Sequence, residues 1–222
     1  MNLKRVLEPE VMDTPEEARD YDAMDHSAVN AKFVDDLLAA DFDAEQTLDL
    51  GAGTAQIPIE LCRRHEGCQV LAVDLSPHML DLARYNVEIA SLIHRIHLQQ
   101  IDAKELPFGD AQFDAVISNS IVHHIPEPLG VLREAVRVCR PQGLLFFRDL
   151  MRPVDDDQVA HLVRTYAGDE NDHQRQMFDD SLRAALTLDE IRGLVGELGF
   201  AADTVSATSD RHWTWVARKA LV

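Results

Sequence analysis

A strand that ends in a glycine turn and reopens as a helix constrains this chain more than any other stretch. Thr47-Leu48-Asp49-Leu50 is a short, largely apolar run, Gly51-Ala52-Gly53 comes next, and a helical pattern starts at Ala55. Glycine admits the positive φ such a turn needs and lets a ligand approach the backbone. The helix start beyond it offers unpaired N–H groups at the positive end of a dipole. The unit is shaped to seat a nucleotide, but alone it does not specify which one.

Beyond Arg64 the strand–helix alternation repeats. Gln69–Val73 reads as a second strand ending on Asp74, and Ser76-Pro77 opens a helix with serine as cap and proline at the first helical position. Ile96–Ile101 reads as a third strand ending on Asp102, Phe113–Ser118 as a fourth, Leu129–Val138 as a helix and Gly143–Asp149 as a fifth strand. Strands alternating with helices at this spacing predict an α/β fold, a doubly wound and mostly parallel sheet. Upstream, Pro9 and Pro15 are read as breaking any early helix, and the stripe of Val29, Phe33, Val34, Leu37 and Leu38 predicts a helix from Ser27, capped by Ser27 or Asp25. Downstream, helices are expected over about 156–166 and 172–185. A Thr187…Glu190 capping box starts another, and closing strands fall around 204–207 and 212–218. The expected organisation is one domain over 1–222. It comprises an N-terminal lid and helix (1–40), a cofactor-binding core (45–152), a helical cap insertion (153–186) and a closing helix and strands (187–222).

Charge excludes some partners. Asp and Glu number 39 against 21 Lys and Arg, a formal net charge of −18. Nucleic-acid binding needs a basic footprint and an anionic membrane surface attracts basic segments, so neither partner is expected. Cys62, Cys68 and Cys139 are unevenly spaced with no Cys-x-x-Cys, which reads as buried thiols in a reducing compartment. The N-terminus lacks a signal-peptide run and no stretch approaches the ~18 apolar residues of a membrane span, so a cytoplasmic location is expected. The histidines lack metal-ligand spacing, and no metal is expected. The sequence does not specify an oligomeric state.

In open parallel sheets, ligands bind at the carboxyl ends of the strands. Here those ends carry the glycine turn, Asp74, Asp102 and Asn119. Asp74 lies about twenty residues beyond Gly53, the spacing at which a carboxylate accepts from ribose hydroxyls. A dinucleotide fingerprint needs a third glycine where Gln56 stands, and a phosphate-binding loop would need Gly-Lys-[Ser/Thr]. What remains is a ligand with a ribose and a base but no phosphate, meeting backbone amides, carboxylates and an amide. A strand-end Asp also serves as a helix cap or loop residue, and that reading stands beside the functional one.

Leu48-Asp49-Leu50-Gly51-Ala52-Gly53-Thr54, Val73-Asp74-Leu75-Ser76, Ile101-Asp102-Ala103 and Phe113-Asp114-Ala115-Val116-Ile117-Ser118-Asn119 together resemble the class I, seven-strand S-adenosylmethionine-dependent methyltransferases, closest to their type 11 small-molecule branch. The resemblance covers roughly residues 45–150. It implies a seven-stranded Rossmann-like sheet with helices on both faces and an antiparallel closing strand, S-adenosylmethionine as cofactor, and methyl transfer to a small molecule by in-line displacement. A non-catalytic module that binds the same cofactor or a nucleoside is the alternative. By the resemblance, Asp49 and the amides of Gly51, Ala52 and Gly53 face the methionine part. Asp74 takes the ribose, Leu75 and Met79 flank the adenine, Asp102 and Ala103 contact its amino edge, and Asn119 lies near the sulfonium.

A sulfonium is already a reactive methyl donor, so alignment carries most of the reaction, and a base is needed only if the acceptor must lose a proton. Candidates at the same sheet edge are His123, His124, Arg148 and Asp149. Their structural alternatives are a histidine that packs or caps the next helix and an Arg148–Asp149 ion pair. Tyr21, Met24 and His26 resemble a lid segment of this family, or are a plain polar lead-in to a helix. Tyr166, in the 153–186 insertion, falls where the family builds its substrate cap. Oxygen, nitrogen, sulfur and carbon acceptors all stay open.

Overall fold

Proline at residue 15 starts a helix instead of breaking one. In this computed structural model, which describes residues 3–9 and 14–221, α1 runs Pro15–Ala23. Thr14 accepts from the Glu17 N–H while the Glu17 side chain accepts from the Thr14 N–H, a full capping box, and Pro15 fills the first position, where no N–H partner exists anyway. Pro9 also lies among the described residues, outside any helix. Helix α2 spans Ser27–Ala39, burying Phe33, Val34 and Leu37, and the Asp25 carboxylate accepts the Ser27 N–H at 2.9 Å.

The core strands come in the expected order: β1 (Gln46–Leu50), α3 (Gln56–Arg64), β2 (Gln69–Asp74), α4 (Pro77–Ile89), β3 (Ile96–Gln100), β4 (Phe113–Asn119), α5 (Leu129–Val138) and β5 (Cys139–Leu150). Ser76 caps α4 through its hydroxyl, accepting from the Met79 N–H. Strand β5 begins four residues before the expected Gly143. A Cβ at Gly143 would fall 2.6 Å from Cys139 Sγ and 2.9 Å from the Asp114 carbonyl, so only glycine permits that approach. Then come α6 (Asp156–Tyr166), α7 (Asp172–Ala184), α8 (Leu188–Glu197), β6 (Val205–Ala207) and β7 (His212–Arg218).

The seven strands form one sheet in the order β3-β2-β1-β4-β5-β7-β6. β1 pairs parallel with both β2 and β4, β2 pairs parallel with β3, and β6 pairs antiparallel with β7. Register places Leu50 opposite Val73 on one side and Ser118 on the other. The next residues, Gly51, Asp74 and Asn119, therefore leave their strands at one level. The Ser118 hydroxyl donates to the Leu50 carbonyl at 2.8 Å and ties the level together. At the opposite end, Asp114 accepts the Glu45 and Gln46 N–H groups at 2.9 Å each and pairs with Arg140, so this carboxylate pins the start of β1.

By its contacts the chain sorts into two compact units. One holds residues 14–119, 130–147 and 216–221, with a core that includes Phe33, Leu61, Ile117 and Phe146; the Phe33 and Phe146 rings meet edge-on at 5.0 Å. The other holds residues 3–9, 120–129 and 148–215, with Leu150, Val159, Leu162, Leu182 and Ala185 at its centre.

Candidate functional site

The glycine turn is held by the strand beside it. Gly51 and Gly53 take φ of +68° and +53°, and Ala55, at the cap of α3, takes +63°. The Gly51 and Ala52 N–H groups both donate to the Val73 carbonyl, at 2.9 and 3.0 Å, and the Gly53 N–H donates to Asp74 Oδ2 at 2.8 Å. Asp74 Oδ1 accepts the Ser76 N–H. The three amides expected at the ligand are thus hydrogen-bonded to the end of β2. Asp74 braces the turn and opens α4, and its ribose role rests on whatever acceptor capacity two already engaged oxygens retain. A turn with its donors spent makes a poor phosphate seat, in agreement with Gln56 standing where a dinucleotide site needs glycine.

Above the turn lies a small cavity. Asp49, Gly51, Ala52 and Asn119 line it from the sheet, and Tyr21 and His26 from the N-terminal segment. The Tyr21 and His26 rings lie 4.8 Å apart, and Tyr21 reaches to 3.8 Å from where a Cβ on Gly53 would sit. The cavity is rich in acceptors. Asp49 is only 3% exposed, and burial, then the charge of Asp74, holds its carboxyl well above the usual carboxylate range. Asn119 Oδ1 is buried without a hydrogen-bond partner among the described residues. Burial and then the charges of Asp74, Asp22 and Asp49 push the Tyr21 phenol up to about 12. The Asp49 carboxylate on the lining, with the charges of Asp74 and Asp22 acting on Tyr21 beside it, favours a cationic ligand and disfavours an anionic one.

Asn30, Thr54, Gln56 and Ile57 line the same cavity and were not among the expected site residues. Asn30 lies one helical turn after His26, a spacing that carries the signal once His26 is placed there. Asp22 accepts from Asn86 Nδ2 at 3.1 Å and so fastens the end of α1 to α4. Met24 closes α1 through its backbone N–H to the Tyr21 carbonyl and does not line the cavity. Leu75, Met79, Asp102 and Ala103 also lie outside it. Leu75 is partly exposed, Met79 and Ala103 are buried, and Asp102 Oδ1 accepts the Lys104 N–H while Oδ2 pairs with Lys104 Nζ at 3.3 Å.

The expected catalytic residues belong to the second unit. His123 Nδ1 lies 2.5 Å from Asp149 Oδ1, and Asp149 Oδ2 accepts the Val122 and His123 N–H groups of a short 3-10 turn, Val122–His124. His123 is 3% exposed and Asp149 is fully buried. Burial alone would push the His123 imidazole down and the Asp149 carboxyl up; their mutual attraction reverses both, so His123 is raised and Asp149 lowered. The anticipated Arg148–Asp149 pair is replaced by this one. Adjacent strand residues point to opposite faces, and Arg148 Nε donates to Thr214 Oγ1 at 2.9 Å. Tyr166 is held at the surface, its hydroxyl donating to Asp210 at 2.7 Å and its ring under the Arg211 guanidinium.

His212, also in this unit, carries a pH dependence. Burial first, then the charges of Arg211 and Arg148, push its pKa down to about 4, against weaker pulls from Asp149 and Asp210. Unfolding returns it toward its ordinary 6.5, so between these values the unfolded chain binds the extra proton and stability falls as pH drops. Urea titrations should show a loss of roughly 3 kcal/mol across that interval. His212→Gln should flatten the dependence there; an unchanged slope would refute the assignment.

The strand order, the antiparallel β6–β7 pair and the acceptor-lined cavity at the strand ends define a class I, Rossmann-like methyltransferase fold. Residues 48–147 match the family described as a methyltransferase domain. It is 29% identical over 179 residues to 27-O-demethylrifamycin SV methyltransferase of Amycolatopsis mediterranei, covering 79% of this chain and 62% of that protein. It is 25% identical over 172 residues to a ubiquinone/menaquinone biosynthesis C-methyltransferase of Vibrio cholerae, covering 72% and 65%. The chain thus matches just under two thirds of each relative's length. A solved S-adenosylmethionine-dependent methyltransferase from Aquifex aeolicus superposes with a TM-score of 0.69 at 18% identity, over 93% of this chain and 99% of that one. Among the described residues no helix is long and apolar enough to cross a membrane.

Proposed function

We propose that this protein transfers a methyl group from S-adenosylmethionine to a small-molecule acceptor, with the methionine end of the cofactor held in the cavity above the glycine turn. The observation that carries the reading is the pairing of a buried, charge-stressed Asp49 with an orphaned Asn119 Oδ1 in one cavity. S-Adenosylmethionine supplies a methyl group activated by a sulfonium, and its α-ammonium is a second cation. Asp49 neutralises positive charge that the free cavity lacks, and Asn119 gives its unused carbonyl oxygen. Gly51 leaves its part of the lining without a side chain, and the Tyr21 and His26 rings form one wall. Such residues act by holding the donor in line with an acceptor, which is where the rate of this reaction is set.

His123 and Asp149 are read here as structural, because their facing atoms already satisfy one another. No proton transfer is assigned to them. The buried free cysteines fit a reducing compartment, and we place the protein in the cytoplasm on that ground.

Calorimetry with S-adenosylmethionine and S-adenosylhomocysteine tests the cofactor, and transfer of labelled methyl to a panel of hydroxyl, amine, thiol and carbon acceptors tests turnover. Binding of both nucleosides with transfer to at least one acceptor is expected. Absence of binding would overturn the reading. Binding with no transfer to any acceptor class would favour the non-catalytic module instead.

A further inference from the structure

Residues 3–9 run across the second unit as a strap. The Leu3 and Val6 N–H groups donate to the Val154 and Arg183 carbonyls, and the Arg5 guanidinium donates to the carbonyls of Ala184, Pro126, Ile125 and His123. This docking brings Glu8 against the two histidines. Glu8 Oε1 lies 3.4 Å from His123 Nε2 and 3.1 Å from His124 Nδ1, and the three atoms fall within 4.8 Å of one another. Glu8 Oε1 and His124 Nδ1 are both buried, yet neither has an aligned hydrogen bond. The Glu8 side chain is itself 10% exposed.

Three ligand-type atoms converge here, with Glu8 Oε1 at ion-pair distance from both imidazoles, and their spacing fits a shared cation. Ligands about 2.0–2.1 Å from a tetrahedral zinc ion stand about 3.3 Å apart, and the two Glu8 distances bracket that spacing. The supporting contacts are also in place. Asp149 Oδ1, 2.5 Å from His123 Nδ1, holds a proton on that nitrogen and leaves the Nε2 lone pair facing Glu8. Ser181 Oγ donates to the second Glu8 oxygen at 3.1 Å. Charge points the same way. Glu8 and Asp149 supply two buried anions and Arg5 one cation, so one further positive charge is wanted, from a metal or from a proton on His123. Two imidazoles and a carboxylate select a zinc-like divalent ion over magnesium or calcium.

We propose that Glu8, His123 and His124 bind one zinc-class divalent cation through Oε1, Nε2 and Nδ1, clamping the N-terminal strap onto the Val122–His124 turn. The site lies outside the cofactor cavity's lining and does not depend on the methyl-transfer reading. Metal and proton compete for His123, so the affinity rises with pH.

The full chain, stripped with a chelator and titrated with zinc chloride, should bind one ion per chain by calorimetry and elemental analysis and should melt at a higher temperature. Glu8→Gln and His124→Ala should each weaken binding by roughly 100-fold or more and abolish the zinc-dependent rise in melting temperature. Wild-type histidine nitrogen NMR reports the site without any mutation: zinc should perturb Nε2 of His123 and Nδ1 of His124 while leaving Nδ1 of His123 protonated. No stoichiometric binding would overturn the proposal. So would full affinity in both variants, or a His123 that stays doubly protonated at neutral pH when zinc is added, because the proton would then be the only cation the cluster holds.

Discussion

Replacing Asp49 with asparagine should leave the cofactor-free fold as stable or more stable, while S-adenosylmethionine binding falls by roughly 10- to 100-fold. The two effects have one cause. A carboxylate 3% exposed and facing the charge of Asp74 costs the empty protein free energy, and an amide of the same shape removes that cost. With a cationic ligand present, the charge becomes an attraction, and charge-assisted hydrogen bonds contribute ~1.5–3 kcal/mol. Thermal melts without ligand and calorimetry with it check the pair. Unchanged affinity, or a melt lowered by several degrees, would remove Asp49 from the cofactor site. The wild-type pH profile has a definite sign: binding needs the ionised carboxylate, so affinity declines as pH falls through the raised pKa.

Replacing Asp149 with alanine should cost about 3–5 kcal/mol of stability, since one partner of a buried charged pair is left behind. The carboxylate accepts the Val122, His123 and Leu150 N–H groups and faces the His123 ring, so its removal takes a partner from four groups in a closed space. Urea titration of chelator-treated protein measures the loss. Asp149 contributes above its ordinary value of 3.8 and loses that contribution as pH falls through its lowered one. His123 contributes below 6.5 and loses its share as pH rises through its raised value. The gap between wild type and variant should therefore be widest between those two ordinary values. A variant that matched the wild type throughout that interval would show the pair to be energetically idle.

Much of the fold was legible because its signals are local. Ser76-Pro77 and Thr187…Glu190 carry their helix starts in adjacent residues, and His212–Arg218 has the bounds the residues suggest. The missed α1 was equally local: Thr14-Pro15-Glu16-Glu17 holds a cap, a first-position proline and the reciprocal glutamate, and reading proline only as a breaker hid it. Asp49, Gly51, Ala52, Asn119, Tyr21 and His26, singled out from the residues, line one cavity. What the residues could not disclose were long-range hydrogen bonds. Whether the turn amides are free depends on the Val73 carbonyl and Asp74, and whether His123 meets a carboxylate depends on Asp149 and Glu8. Spacing rules for metal ligands look within tens of residues, and Glu8 stands far outside that window.

The strap of residues 3–9 has a consequence for the order of events during synthesis. Arg5 is synthesised before its acceptors at His123, Ile125 and Ala184, which emerge 118, 120 and 179 positions later. Contacts of such separation close late and slowly. The strap can therefore dock fully only after Ala184 has been made.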